Sequence, residues 1–376
     1  LNWTKDDFLE SFPDRLVTVQ APQRSQVRLH SSSKDQTMSR VQGVSYPFRW
    51  VEHGIDVSHV FEDPKYMVYH LFDIRKVGEN LQRGVNIQPF TVPWAPPAEV
   101  NLWLGTPTVT TPLHFDFYHN FYTQVRGRKR FILVPAENYQ QIAPFPHIHP
   151  SSRMTKFDLN NETFWQVYGE QIRSWKGVRE IVLEPGDALY IPPMMFHYVC
   201  VVGDEPSVSV STHHDATIAR FLVNALGLSD SVHAFMPMRR TMYDEERAIR
   251  VRTWLALVRQ FVDDSSELQR QVQFCVDSHW DAELLDLDEH FAVGLAQKLR
   301  DDQLDFADAV PNMNLTAPFD TLPMLFQRRV TNLVQKLKKW YDGAEDSQQL
   351  HKDIVMCSFL ETSASYVISP LSVPSM

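Results

Sequence analysis

Residues Thr111 to Lys129 read TPLHFDFYHNFYTQVRGRK, and the fold is decided there. His114 and Asp116 lie two apart, so an extended backbone puts both side chains on one face of a sheet. An imidazole beside a carboxylate is two of the three ligands of a facial ferrous site. The spacing alone is common, since His213/Asp215, His279/Asp281 and His351/Asp353 repeat it. Only the first pair has the right surroundings. After it come two β-like runs, Phe121–Val125 and Lys129–Val134, joined by Arg126-Gly127-Arg128, which predicts a hairpin. Asn120, Tyr122 and Gln124 share one face of the first run; Lys129, Phe131 and Leu133 share one of the second. A lysine at the root of an apolar strand face needs an anionic partner. A dicarboxylate cosubstrate would supply one. The other three pairs lie in or beside helix-like sequence, and no such lysine follows them.

Working outward, EPGDALYIPPMMFHYV (Glu184–Val199) reads as a turn, a strand over Ala188–Ile191 and a second turn before His197. Ser207–Thr212, SVSVST, alternates, with Ser207, Ser209 and Ser211 on one face. Val178–Leu183, Val100–Leu104, Lys65–Asp73 and Arg15–Val19 add further β-prone runs. About eight short strands fit a double-stranded β-helix, a jelly-roll barrel whose mouth holds a ligand. Between Pro135 and Val178 lies a long stretch without strand pattern, helical only at Phe164–Trp175. Loops of that length are usually functional. His147 and His149 sit there among prolines, predicting an extended surface loop with a substrate-lining or structural role. From Asp215 onward helical periodicity takes over at Ala219–Leu228, Asp244–Val262, Leu322–Tyr341 and Leu350–Leu360. The expectation is a mainly β fold with helical additions. It has N-terminal elements over 1–60, the barrel over 61–214 and a C-terminal helical region over 215–376.

Thr-Pro-x-His-x-Asp, with Asn120 four residues after the aspartate and Lys129 fifteen after the histidine, resembles the jumonji-C, or cupin-like, oxygenases. These depend on Fe(II) and 2-oxoglutarate. Within them it is most similar to the small hydroxylases that include the asparaginyl hydroxylase of hypoxia-inducible factor. The likeness runs from Glu99 to Thr212 and includes the insert APFPHIHPSSRMTKFDLNN (Ala143–Asn161). It implies His114, Asp116 and His197 as iron ligands, with Fe(II), 2-oxoglutarate and O2 as cofactors. It further implies that Lys129 pairs with the cosubstrate's distal carboxylate and that Thr111 hydrogen-bonds it. Asn120 and Tyr122 would line the pocket, and Tyr69 would donate its hydroxyl to the same carboxylate. Ser211 stands where that branch carries an asparagine near the iron-side carboxylate. The implied reaction releases succinate and CO2 and hydroxylates a side chain of a protein or peptide. Alternatives within the superfamily are an Nε-methyl-lysine demethylase or an RNA nucleoside hydroxylase; outside catalysis, the alternative is a binding module. Intact ligands and an intact lysine weigh against the last.

With 36 basic and 46 acidic residues the formal charge is −10. An acidic balance weighs against RNA, leaving only a local basic groove to bind it. Cys200, Cys275 and Cys357 are widely spaced, favouring a reducing compartment and offering no all-thiolate zinc site. The sequence shows no run as long as a membrane span and no basic-then-apolar leader, so the expectation is an intracellular protein, cytoplasmic or nuclear, without membrane contact. Specificity is expected from the loops Gln23–Gly43 and Ala136–Gly177. The helices carry apolar stripes: Ile249, Trp254, Leu255, Val258 and Phe261 in one, Leu333, Val334, Leu337 and Trp340 in another. They predict packing within the chain or a homodimer built from C-terminal helices.

Overall fold

Period-2 alternation shapes the first part of the chain. The computed structural model describes residues 16–20, 51–55, 69–73, 97–145 except 108, 147, 153–155, 157, 159, 162–222, 225, 257–262, 265–279, 324–345 and 348–367. Its strands are β1 (Leu16–Gln20), β2 (Val51–Ile55), β3 (Tyr69–Asp73), β4 (Pro97–Gly105), β5 (Thr110–His114), β6 (His119–Arg126), β7 (Arg128–Val134), β8 (Arg179–Leu183), β9 (Ala188–Ile191), β10 (Phe196–Val202) and β11 (Ser207–His214). Four form one sheet in the order β5-β10-β7-β8, and five form a second in the order β3-β4-β11-β6-β9. Every pairing is antiparallel. Strands β4 to β11 make the double-stranded β-helix expected from the sequence, and β1 pairs with β2 as a separate ribbon. The inward positions Tyr122, Phe131, Leu133, Leu183, Ile191 and Val199 form one apolar cluster, with Trp103, Ile181, Leu189 and Met195 packed against it. Burying each of these large side chains contributes about 1.5–3 kcal/mol.

One expectation fails at the turn. Arg126-Gly127-Arg128 is not a hairpin, because β6 pairs with β11 and β9 whereas β7 pairs with β10 and β8. The chain there steps from one sheet to the other. Gln124 makes the corner: its Nε2 donates to the carbonyls of Arg126 (2.6 Å) and Gly127 (3.0 Å) and to Ser207 Oγ (2.9 Å). Gly127 has a φ of 63°, and a Cβ there would sit 2.6 Å from the carbonyl oxygen of Pro206. A positive φ costs an L-residue about 1–3 kcal/mol before any clash is counted. Gly127→Ala is therefore expected to lower the unfolding free energy by at least that amount, read as a lower urea midpoint with an unchanged m-value. An unchanged midpoint would mean that this corner is not held against Pro206.

The described residues fall into two compact units. One comprises those up to 138 and from 157 to 216; the other comprises 139–155 and those from 217 onward. In the first, helix α1 (Glu162–Ser174) matches the expected helical run and buries Phe164 and Ile172. In the second lie α2 (Ser265–His279), α3 (Met324–Gly343) and α4 (Gln349–Val367), besides helical residues 217–222. A polar network ties three of them together. Arg270 Nη2 donates to Asp353 Oδ1 at 2.9 Å, Gln271 Nε2 does so at 2.9 Å, and the Tyr341 hydroxyl donates to Glu267 Oε1 at 3.1 Å. Cys275 and Cys357 pair as a disulfide between α2 and α4.

Several expectations change in this unit. Helix α2 forms where the sequence predicts no helix, and α4 runs beyond Leu360. Of Asp244–Val262 only 257–262 is described, and it turns from residue 259 onward. Val334 and Leu337 of the α3 stripe are buried within the chain, and Trp340 stacks on Phe221 at 4.5 Å. His147 does not sit on an open surface loop; its ring lies 5.3 Å from that of His279. The proline-flanked segment folds back instead, with Phe145 N donating to the carbonyl of Met154 at 2.8 Å. The loop Gln23–Gly43 and His149 lie outside the described residues. Among the described residues no helix is long and apolar enough to cross a membrane.

Candidate active site

Antiparallel pairing of β5 with β10 sets His197 directly opposite His114. Both rings then point the same way, with centroids 4.2 Å apart. Each is oriented by its own backbone: His114 Nδ1 bonds the carbonyl of Pro112 (2.8 Å), and His197 Nδ1 bonds that of Met195 (3.0 Å). A carbonyl only accepts, so Nδ1 carries the hydrogen in both rings and each Nε2 presents a lone pair. Those nitrogens face Asp116 Oδ2 at 4.0 Å and 3.9 Å. Asp116 itself lies just past the end of β5, where its carbonyl accepts the N–H of Met194 at 2.7 Å. Met194 adopts a φ of 65°, part of the tight Pro192–Met195 turn that the two prolines predict. One ligand atom from each of the three lies within 4.8 Å of the others. The sequence-predicted triad is thus brought together.

Deeper in the barrel, Lys129 on β7 is 3 % exposed and its Nζ donates to the Tyr122 hydroxyl across the barrel at 2.6 Å. Among the described residues no carboxylate pairs with it. Burial without a counter-charge pulls its ammonium down to about 7, and the same burial pushes the Tyr122 phenol up. Asn120 is 5 % exposed, and its Oδ1 is buried with no hydrogen-bond partner. Thr111 is buried on β5. Ser211 Oγ accepts the indole N–H of Trp103 at 2.7 Å. Tyr69 lies in β3 opposite Gly105, and its side chain is outside the described residues.

A family model described as a cupin-like domain matches residues 3–220, more than half of the chain. The chain belongs to the cupin-like domain family. Jumonji C domain-containing protein 5 of Drosophila melanogaster is 32% identical over 117 residues, 30% of this chain and 27% of that protein. Lysine-specific demethylase JMJ31 of Arabidopsis thaliana is 31% identical over 114 residues, 30% of this chain and 20% of that protein. HSPB1-associated protein 1 of Bos taurus is 31% identical over 204 residues, 50% of this chain and 40% of that protein. The match thus spans well under half the length of each of these relatives.

The donor set of this cupin-like barrel suits a ferrous ion. Two neutral imidazoles and one carboxylate on one side leave positions open, the arrangement that separates non-haem iron from closed zinc sites. Lys129, buried with no carboxylate partner among the described residues, fits an anionic guest, whereas the orphaned Asn120 Oδ1 is an acceptor and calls for a donor. Two residues of the site went unread in the sequence. Trp103 packs on the inner cluster and holds Ser211, and its only sequence signal is its place in the alternation of β4. His213, which belongs to one of the chance His-x-Asp pairs, is 3.8 Å from Glu99 through Nδ1 and has a buried, partnerless Nε2. The His213 contact, opposed by partial burial, leaves the Glu99 carboxyl below its ordinary range.

Proposed function

We propose that the chain is an Fe(II)- and 2-oxoglutarate-dependent oxygenase that hydroxylates a side chain of a protein substrate. The observation that carries this reading is Lys129, a buried cation without a carboxylate among the described residues, on the same barrel interior as an open facial triad. His114, Asp116 and His197 would hold the metal. Lys129 would hold the distal carboxylate by a charge-assisted bond, strengthened by the low dielectric of the barrel. Thr111 and Asn120 would orient the same molecule, and Phe131, Leu133, Ile191 and Val199 keep water from its length. Iron, 2-oxoglutarate and dioxygen together supply oxidative decarboxylation to succinate and CO2 with oxygen insertion into a C–H bond. The resemblance to the asparaginyl hydroxylase branch supports the hydroxylase reading. Relatives whose names include lysine-specific demethylases support a second one, removal of an Nε-methyl group.

Succinate release with added ferrous iron tests the oxygenase reading. A peptide panel with formaldehyde detection then separates demethylation, which releases formaldehyde, from stable hydroxylation. No succinate from iron-loaded protein under any substrate would leave the barrel as a binding module.

Lys129 also sets a pH dependence. Its folded value is depressed to about 7 from the ordinary 10.5, so between these limits the unfolded chain binds more protons than the unliganded fold. Stability of the unliganded protein should therefore rise with pH across that window. A dicarboxylate restores the ammonium, so its binding takes up a proton above pH 7. The 2-oxoglutarate affinity is expected to be flat below pH 7 and to fall up to about tenfold per pH unit above it. Calorimetry in two buffers of different ionisation enthalpy reads the proton uptake directly. Uptake of no proton at pH 8 would remove Lys129 from the binding role.

A further inference from the structure

The second unit encloses a group of ligand-type side chains that the barrel chemistry does not use. Cys275 and His279 come from α2, Cys357 and Glu361 from α4, and His147 from the proline-flanked segment. Cys275 is 2 % exposed, and His279, Cys357 and Glu361 are 0 % exposed. His279 Nδ1 lies 2.6 Å from Glu361 Oε1 and 3.6 Å from Cys357 Sγ. Its other nitrogen, Nε2, is 2.9 Å from the Tyr139 hydroxyl. Glu361 Oε2 accepts the backbone N–H of His147 at 2.7 Å. The His147 Nε2 is buried and has no hydrogen-bond partner. Ligand atoms of His147, His279 and Cys357 all lie within 4.8 Å of one another, and so do those of Cys275, Cys357 and Glu361.

A disulfide between α2 and α4 explains none of this. A buried disulfide calls for no imidazoles and no carboxylate around it; His279 and Glu361 answer each other at 2.6 Å, but the buried His147 Nε2, close to Cys357, has no hydrogen-bond partner. A cation supplies a partner. We propose that, with the Cys275–Cys357 bond reduced, His147, His279, Cys357 and Glu361 form a structural zinc site. Thiolate and imidazole together select zinc over the harder magnesium and calcium. One thiolate and one carboxylate neutralise the divalent ion, so no net charge is buried. A tetrahedral ion with bonds of about 2.0–2.3 Å holds its ligand atoms roughly 3.3–3.8 Å apart, so His147, His279 and Cys357, within 4.8 Å of one another, need to close by about an ångström while the 2.6 Å His279–Glu361 contact opens around the ion. His279 would bind through Nδ1, and its Nε2–H would donate to the Tyr139 oxygen, the outer contact that ligating histidines usually make. The disulfide and the zinc site are alternative states of Cys357, with Cys275 as the partner that takes its sulfur away. The inference stands apart from the oxygenase reading, since none of its residues belongs to the barrel site.

The experiment uses the full chain carrying Asp116→Ala, so that the barrel triad does not contribute metal. It is purified in a phosphine reductant, which gives two electrons to open the disulfide and is itself oxidised to the phosphine oxide. Elemental analysis after dialysis should find about one zinc per chain. Adding Cys357→Ser, His279→Ala or His147→Ala should remove it, whereas adding Cys275→Ser should not. Cobalt(II) offered in place of zinc should give a sulfur-to-cobalt charge-transfer band and tetrahedral visible absorption, both lost in Cys357→Ser. Far-ultraviolet circular dichroism shows whether each variant is folded. Cobalt titration of the Asp116→Ala protein alone decides the matter even where a ligand variant fails to fold. Absence of zinc with no charge-transfer band would overturn the site. Zinc retained equally by Cys357→Ser and His279→Ala would overturn it too, and zinc lost in folded Cys275→Ser would overturn this ligand set.

Discussion

Asp116→Ala is expected to abolish iron-dependent succinate release while leaving the melting temperature within a degree or two of the parent. The two effects separate because the carboxylate is not packing: its side chain is 22 % exposed, and its backbone carbonyl, which a substitution leaves intact, makes the bond to Met194. Loss of an outer-shell partner typically costs 10–100-fold in metal affinity, and loss of a direct ligand should exceed about 100-fold. His114→Ala should silence turnover equally, with a larger stability loss. It leaves the Pro112 carbonyl without the 2.8 Å bond and opens a void beside the His197 ring. Turnover at the parental rate in Asp116→Ala would dismantle the site assignment.

Lys129→Met is expected to move stability and cosubstrate binding in opposite directions. In the unliganded barrel the substitution exchanges a buried ammonium without a carboxylate partner for an apolar side chain of similar length. Removing a buried charge that has no counter-charge should stabilise the unliganded fold, less the Tyr122 hydrogen bond that goes with it. With 2-oxoglutarate bound, the same change strands the distal carboxylate among Phe131, Val199 and Tyr122. An unpaired buried charge costs about 3–5 kcal/mol, a factor of hundreds to thousands in affinity. Thermal shift without ligand and calorimetric titration with it would read the two signs independently. A higher melting temperature with unchanged 2-oxoglutarate affinity would show that the carboxylate binds elsewhere.

What the sequence disclosed, and what it hid, follows from the range over which each pattern acts. His114 and Asp116 were legible as a pair because strand alternation is local, whereas His197 as third ligand came from the resemblance of Glu184–Val199 to the cupin-like oxygenases. The periods of β5 and β10 and the Pro192-Pro193 turn fix the face on which each ring lies. The partner of a strand is not local. Arg126-Gly127-Arg128 has hairpin chemistry, yet the corner made by Gln124 and the close approach of Pro206 send β7 to the opposite sheet. Helix α2 escaped because its apolar stripe, Leu268, Val272, Cys275 and Val276, is interleaved with buried Gln271, Ser278 and His279. The helix is amphipathic, with Gln269, Arg270, Gln273 and Asp277 exposed on one face, but those polar residues on its buried side thin the apolar pattern. The end of α4 hid similarly: Thr362 and Ser363 are buried by hydrogen-bonding the carbonyls of Ser358 and Phe359 one turn back. His147, His279 and Cys357 meet from positions spread over more than two hundred residues, a spacing no motif describes.

The pairing order of the barrel also governs how the molecule can be born. Among the described strands β5 awaits β10, β6 awaits β9 and β11, and β7 awaits β8 and β10, so these three early strands pair only once the later ones exist. At a ribosomal rate of about 5–20 residues per second, the stretch from Val134 to His214 takes roughly 4–16 s to make. Throughout that interval the nascent chain carries bare strand edges, the surfaces that aggregate most readily. Chaperone traffic and the tempo of translation across residues 135–214 should therefore set the yield of this protein in a cell more strongly than its final stability does.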